Sequence, residues 1–193
     1  MKHDLNKPMS KGAHRFLDAV YKAFTAALCE RSFEEITVAQ ICEAVGYPRA
    51  TFYNYFDDKY DLMNFFWQAL SIQVNFDEYR IYKVSEILDV YFERLYNLFD
   101  EYHKIIVEIL KKNPTDGYFL ASCRIFLSAR IRSVLDCMMP EGEIPVSRDL
   151  LAEHYANTLL LVFGRRFAGD DCKMTKSEMK ATLVYLLNLP EIG

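Results

Sequence analysis

Arg49, Tyr53 and Asn54 stand within six residues of one another, with Ala50 beside them and no carboxylate among them. The helical repeat puts 50, 53 and 54 on one face with Arg49 at its N-terminal end, while Phe52 and Phe56 turn the other way. A guanidinium can pair with the O6 and N7 edge of guanine, and a carboxamide with the edge of adenine. This face therefore suits reading bases, not making or breaking bonds. Groups that could do bond chemistry do not assemble elsewhere. His103 and His154, the histidines outside the N-terminal region, belong to no catalytic or ligand constellation, and the serines lack a nucleophile elbow. Five cysteines (29, 42, 123, 137 and 172) form no C-x-x-C pair and read as buried thiols of a reducing compartment. The sequence predicts no catalytic residue, no bound metal, no cofactor and no enzyme.

A polar face of this kind must be held by helices, and the flanking residues specify them. Thr37 and Gln40 form an S/T-x-x-E/Q capping box, with Ile36 just outside the cap and Ile41 four positions inside it as a hydrophobic staple. Val38, Ile41 and Val45 recur at helical spacing, so this helix buries one side. Gly46 falls where the chain turns left-handed to stop it, and Pro48 suits the first turn of the next helix. Phe52 and Phe56 are that helix's buried side. Two short helices joined by a glycine turn over 37–56 have the layout of a helix-turn-helix.

With Asp57-Asp58-Lys59-Tyr60-Asp61-Leu62 following, the segment resembles the DNA-binding part of the TetR family, matching its pattern from Phe33 to Leu62. The resemblance implies an all-α chain of about nine helices. Residues 1–61 would be a three-helix DNA-binding domain, and 62–193 a helical domain for effector binding and dimerisation. It also implies DNA contacts. Arg49, Ala50, Tyr53 and Asn54 are expected at the bases, and Thr37, Tyr55 and Lys59 on phosphates. Tyr53 is a further phosphate candidate. Pro48 stands where relatives usually have Ser or Thr at a phosphate. Ser32 replaces the glycine that commonly ends helix 1, a change costing ~1 kcal/mol if that residue must be left-handed.

Composition agrees with a long-helix protein. Residues 49–113 contain neither Gly nor Pro, and hydrophobic residues reach 51% with 14 Phe and 13 Tyr. Net charge is −4, and 1–61 carry eight Lys and Arg against nine Asp and Glu. A basic footprint is thus absent in bulk and present only locally. It consists of the leader, with Lys2, Lys7, Lys11 and Arg15 against Asp4, and of Arg49 and Lys59 flanking the recognition helix. No secretory signal opens the sequence and no apolar run approaches ~18 residues. A cytoplasmic protein without membrane contact is expected.

Helical spacing places helix 1 over about 11–30 and helix 4 over about 58–74, with a polar connector from Asn75 to Tyr82. Further helices are expected over about 85–102, 105–112, 118–138, 148–167 and 176–188. Asn113-Pro114 and the 140–145 loop separate them, and Ser147 is a cap. Runs 159–163 and 183–187 are apolar nearly all round, which predicts cover on every side and, with the resemblance, a homodimer through 148–167 and 176–188. Where relatives line their cavities stand Trp67, Phe92, Tyr96, Phe99, His103, Phe119, Cys123, Phe126 and Tyr155, which imply a largely apolar effector. The functional expectation is a transcriptional regulator, a repressor released from a near-palindromic operator by a small effector that shifts helix 4. The alternative is a helical protein–protein adaptor that keeps the fold without binding DNA, which the near-neutral N-terminal domain and Pro48 favour.

Overall fold

Ser10 starts the first helix by accepting the Ala13 N–H at 3.2 Å. The computed structural model describes residues 9–138, 145–167 and 174–187. Among these, nine α-helices follow one another with no strand. They are α1 (Lys11–Glu30), α2 (Val38–Val45), α3 (Arg49–Tyr55), α4 (Lys59–Val74), α5 (Val84–Glu101), α6 (His103–Lys112), α7 (Tyr118–Met138), α8 (Arg148–Phe167) and α9 (Lys176–Leu187). Two 3-10 helices, Phe33–Glu35 and Phe76–Ile81, interrupt the series. Residues 1–8 of the expected basic arm, most of the 140–145 loop, the break at 169–171, Cys172 and residue 188 lie outside the described residues. No described helix is long and apolar enough to cross a membrane.

The helix ends form where the sequence put them, with three adjustments. Asp58 caps α4 through the Asp61 N–H at 2.8 Å, and Ser147 caps α8 through Leu150 at 3.2 Å. Ser32 is not left-handed: its φ is −65°, so the strain expected for a lost glycine does not arise. It caps the 3-10 helix instead, where the Glu35 carboxylate accepts from both its N–H and its hydroxyl. Pro48 occupies the N-cap of α3 rather than its first turn, and its carbonyl accepts the Thr51 N–H at 2.9 Å. The expected connector from Asn75 to Tyr82 is itself helical over Phe76–Ile81, with Tyr79 buried.

Two compact units emerge, Met1–Leu70 with Glu108–Ser122, and Ser71–Val107 with Cys123–Gly193. The first thus reaches past residue 61 and takes in a second stretch of chain, the end of α6 and the start of α7. Its core is aromatic. Phe16, Phe24, Phe33, Phe52, Phe56, Phe65, Phe66, Trp67 and Phe119 are all buried. Rings meet edge to face at Phe24–Phe66 (5.8 Å) and Phe24–Phe33 (6.3 Å), arrangements that contribute ~0.5–1.5 kcal/mol beyond burial.

The second unit packs α5, α8 and α9 around Phe92, Leu95, Phe163, Phe167, Met179 and Leu183. Ion pairs Lys176–Glu93 (2.5 Å) and Lys180–Asp89 (2.9 Å) lie along α9 and α5. Arg94 on α5 finishes α4, donating to the carbonyls of Val74 and Asn75 at 3.2 and 3.1 Å and to the Glu78 carboxylate at 2.6 Å. Asn75, just after α4, is left-handed (φ 52°), a conformation an Asn tolerates well. On α8 and α9 the apolar runs divide. Val162, Phe163, Leu183 and Leu187 are buried, whereas Leu161, Val184, Tyr185 and Leu186 face outward, Tyr185 at 83% exposure.

Candidate nucleic-acid interface

The capping box of α2 is complete. Gln40 donates its N–H to the Thr37 hydroxyl at 3.3 Å, and its side-chain oxygen accepts the Thr37 N–H at 2.9 Å. Both staple residues are buried, Ile36 at 1% and Ile41 at 2% exposure. Gly46 is left-handed (φ 69°), with its N–H on the Glu43 carbonyl and that of Tyr47 on Cys42, a Schellman ending. Nothing lies within 4 Å of a Cβ built there, so the backbone alone requires glycine. Burial raises the Cys42 thiol pKa, with nearby Arg49 opposing it.

α3 is short, and tertiary packing holds it. Phe52 and Phe56 are fully buried and lie 5.1 Å apart. Pro48, Arg49, Ala50, Tyr53 and Asn54 are all exposed, as is Thr37 at the start of α2. Tyr55, expected on a phosphate, is half-buried with its ring 4.7 Å from Phe16, and Tyr47 meets the same ring edge-on at 5.1 Å. Tyr55 thus packs α3 against α1.

Lys59 departs furthest from expectation. Its ammonium donates to the carbonyls of Phe33 (3.0 Å), Glu34 (2.8 Å) and Ile36 (3.0 Å), and lies 4.7 Å from the centre of the Phe33 ring. An ammonium has three protons, and all three are engaged. Lys59 thus fastens the start of α4 to the link between α1 and α2.

Sequence reasoning missed a second set of bonds around that link. Asn113, 1% exposed, accepts the Phe33 N–H at 2.8 Å and donates to the carbonyls of Leu28 (3.2 Å) and Ile109 (2.9 Å). The Glu34 carboxylate accepts the Tyr118 N–H at 2.8 Å, a bond that holds its pKa below the usual carboxylate range. Phe33, Tyr60 and Tyr118 close a ring of three aromatics with centres 4.8–5.3 Å apart. Asn113-Pro114 reads in the sequence only as a helix break, because its partners lie 80 and 85 residues away.

The expected effector-pocket residues fall into two groups. Trp67 and Phe119 belong to the first unit. The indole N–H donates to the buried Ser122 hydroxyl at 2.9 Å, and the two rings lie 5.0 Å apart. Phe92, Tyr96, Phe99 and His103 belong to the second and gather on Phe163 and Phe167, with His103 Nε2 donating to the Phe167 carbonyl at 3.2 Å. Tyr155 packs against the same core, and burial raises its pKa. Phe126 lies beneath the Arg130 guanidinium, and burial pushes the Cys123 thiol up to about 12. An open groove of about 770 Å³ between α1 and α2 is lined by Ala23, Ala27, Ile41 and Ala44, and by none of these residues. No group of three or more His, Cys, Asp or Glu that could hold a metal occurs among the described residues.

Residues 21–64, from the middle of α1 to the start of α4, match the family model described as bacterial regulatory proteins, tetR family. Among solved structures, the chain is similar to the dihydroxyacetone kinase operon activator DhaS, with 16% identity and a TM-score of 0.52. That likeness covers 89% of this chain and 93% of the other, and at such identity it concerns the fold. No curated protein matches the sequence.

Proposed function

We propose that this chain, whose residues 21–64 match the model of the tetR family of bacterial regulatory proteins, is a homodimeric, sequence-specific DNA-binding regulator. Its base-reading surface is Arg49, Ala50, Tyr53 and Asn54. One observation carries the reading: these side chains are exposed together on a helix whose opposite side, Phe52 and Phe56, is fully buried. Such a helix can enter a major groove without rearranging its own support. Thr37 and Pro48 lie exposed beside it as backbone contacts. The outward faces of α8 and α9 support dimerisation, and a two-fold dimer calls for a near-palindromic operator. We assign the DNA-binding domain to 1–61 with its supporting corner from α6 and α7, and effector binding and dimerisation to the remainder.

The regulator acts as a repressor released by a small, mostly apolar effector bound among the aromatic residues of the helical domain. Helix α4, which contributes to both units, carries the response. An effector shifts DNA binding only by its differential affinity for the two states, typically ~1–3 kcal/mol, and operator DNA weakens effector binding by the same factor. The similar solved structure is named an operon activator. Activation by this chain is the second reading, decided by where the operator lies relative to the promoter.

Selection from random duplexes with the wild-type chain tests the assignment. Arg49→Ala and Asn54→Ala should each cost ~1–3 kcal/mol in affinity for the selected site and relax preference at one position per half-site. Failure of the wild-type chain to enrich any sequence would instead favour the adaptor, consistent with the −4 net charge of the chain.

A further inference from the structure

The link between α1 and α2 sets where the helix-turn-helix begins, and its backbone groups are claimed from distant parts of the chain. The Phe33 N–H goes to Asn113, and the carbonyls of Phe33, Glu34 and Ile36 go to Lys59. Glu34 in turn accepts the first amide of α7, where a carboxylate also complements the positive end of the helix dipole. Asn113 joins three elements at once: the end of α1 through Leu28, the link through Phe33, and the end of α6 through Ile109. It is nearly inaccessible, and every hydrogen bond it makes is to a backbone group. The corner between α6 and α7 is thus bonded to the chain that feeds the recognition motif, and Glu108–Ser122 forms one compact unit with it.

We propose that Asn113, assisted by Glu34, is a positioning residue for operator recognition, holding α2 and α3 in register with the rest of the unit through the link at 32–36. This rests on the DNA-binding reading above. Asn113 touches no DNA and lies outside the segment that matches the family model, so its contribution is to placement and not to phosphate neutralisation. Removing it leaves the Phe33 N–H and the Leu28 carbonyl without their partner in a buried place, and the link must shift to recover one. The exposed face of α3 is unaltered by the change, so the chain keeps its charge and its capacity for indiscriminate binding.

The test uses the full-length chain and a duplex selected from random sequence by the wild-type protein. Affinities for that duplex and for a scrambled one are measured over a salt series for wild type, Asn113→Ala and Glu34→Ala. Stoichiometric titration fixes the active fraction. Asn113→Ala should weaken the selected duplex about tenfold or more, change the scrambled duplex less than about twofold, and leave the salt slope as in wild type. Glu34→Ala, which removes the acceptor of the Tyr118 N–H at an exposed residue, should lower the ratio of selected to scrambled affinity about threefold, the lost charge acting on both duplexes alike. If Asn113→Ala does not fold, the Glu34→Ala ratio decides. Equal losses on both duplexes, or an unchanged ratio in folded variants, would overturn the proposal. A wild-type chain that selects no duplex would instead overturn the DNA-binding reading.

Discussion

Replacing Lys59 by Met keeps an unbranched stem as far as Cε and removes the ammonium, which separates two roles for one residue. Hydrogen bonds to a charged group contribute ~1.5–3 kcal/mol each. Of the three carbonyls, that of Glu34 is exposed and water can replace the ammonium there, while those of Phe33 and Ile36 are partly buried. Two bonds therefore dominate, and relief of the ammonium's desolvation offsets part of the loss. The expected destabilisation is about 2–4 kcal/mol, confined to the first unit. Trp67, the only tryptophan of the chain, is buried in that unit, so its fluorescence during urea unfolding reports the unit directly. On DNA, a lost phosphate contact would lower the salt slope by about 0.9 for each contact, whereas a lost internal tie leaves it alone. We expect the urea midpoint to fall and the salt slope to persist. A loss below ~0.5 kcal/mol together with a slope reduced by one contact per protomer would refute the reasoning and return Lys59 to the phosphate backbone.

Gly46→Ala meets no neighbour and should cost ~1–2 kcal/mol through backbone strain alone, read in the same fluorescence transition; a neutral result would mean that the turn relaxes. Leu186→Asp places a charge on the outward face of α9 and should convert dimers to monomers in sedimentation at micromolar concentration; a wild-type monomer would reject the interface. With its pKa raised to about 12, the thiol of half-buried Cys123 should alkylate far more slowly at pH 8 than that of exposed Cys137, as peptide mass spectrometry can show; equal labelling of the two in folded protein would contradict the raised pKa.

Local chemistry wrote most of the helix boundaries. Thr37 with Gln40, Gly46, Asp58, Ser147 and Asn113-Pro114 act on neighbours within four or five residues, and each end falls close to where those residues put it. The exposure of Arg49, Tyr53 and Asn54 was legible for the same reason, since a helix with Phe52 and Phe56 buried has only one other side. What escaped was long-range. Lys59 is a cation at the mouth of a helix, and only the fold reveals three carbonyls converging on it from 23–26 residues away. The Asn75–Tyr82 stretch has a polar sequence, yet Arg94, well along α5, and the Tyr91 hydroxyl at 2.9 Å from the Phe76 carbonyl give it partners and hence a helical form. Beside the glycine usual at its place Ser32 predicts strain, whereas its own hydroxyl and Glu35 give it an extended cap.

The discontinuous make-up of the first unit bears on how the chain folds as it is synthesised. An N-terminal domain closed by residue 61 could fold while the rest was still being made. Here, however, the bonds from Leu28, Phe33, Glu34 and Trp67 wait for Asn113, Tyr118 and Ser122. At ~5–20 residues per second that delay is several seconds, spent with a link whose buried amide has no native partner and a set of large aromatic side chains short of their cover. The contacts that finish the unit span 55–85 residues, which makes loop closure rather than helix formation its slow step. Nascent chains arrested before residue 113 should therefore hold α1 to α3 as a loose helical cluster, and the unit should harden only once the α6–α7 corner has left the ribosome.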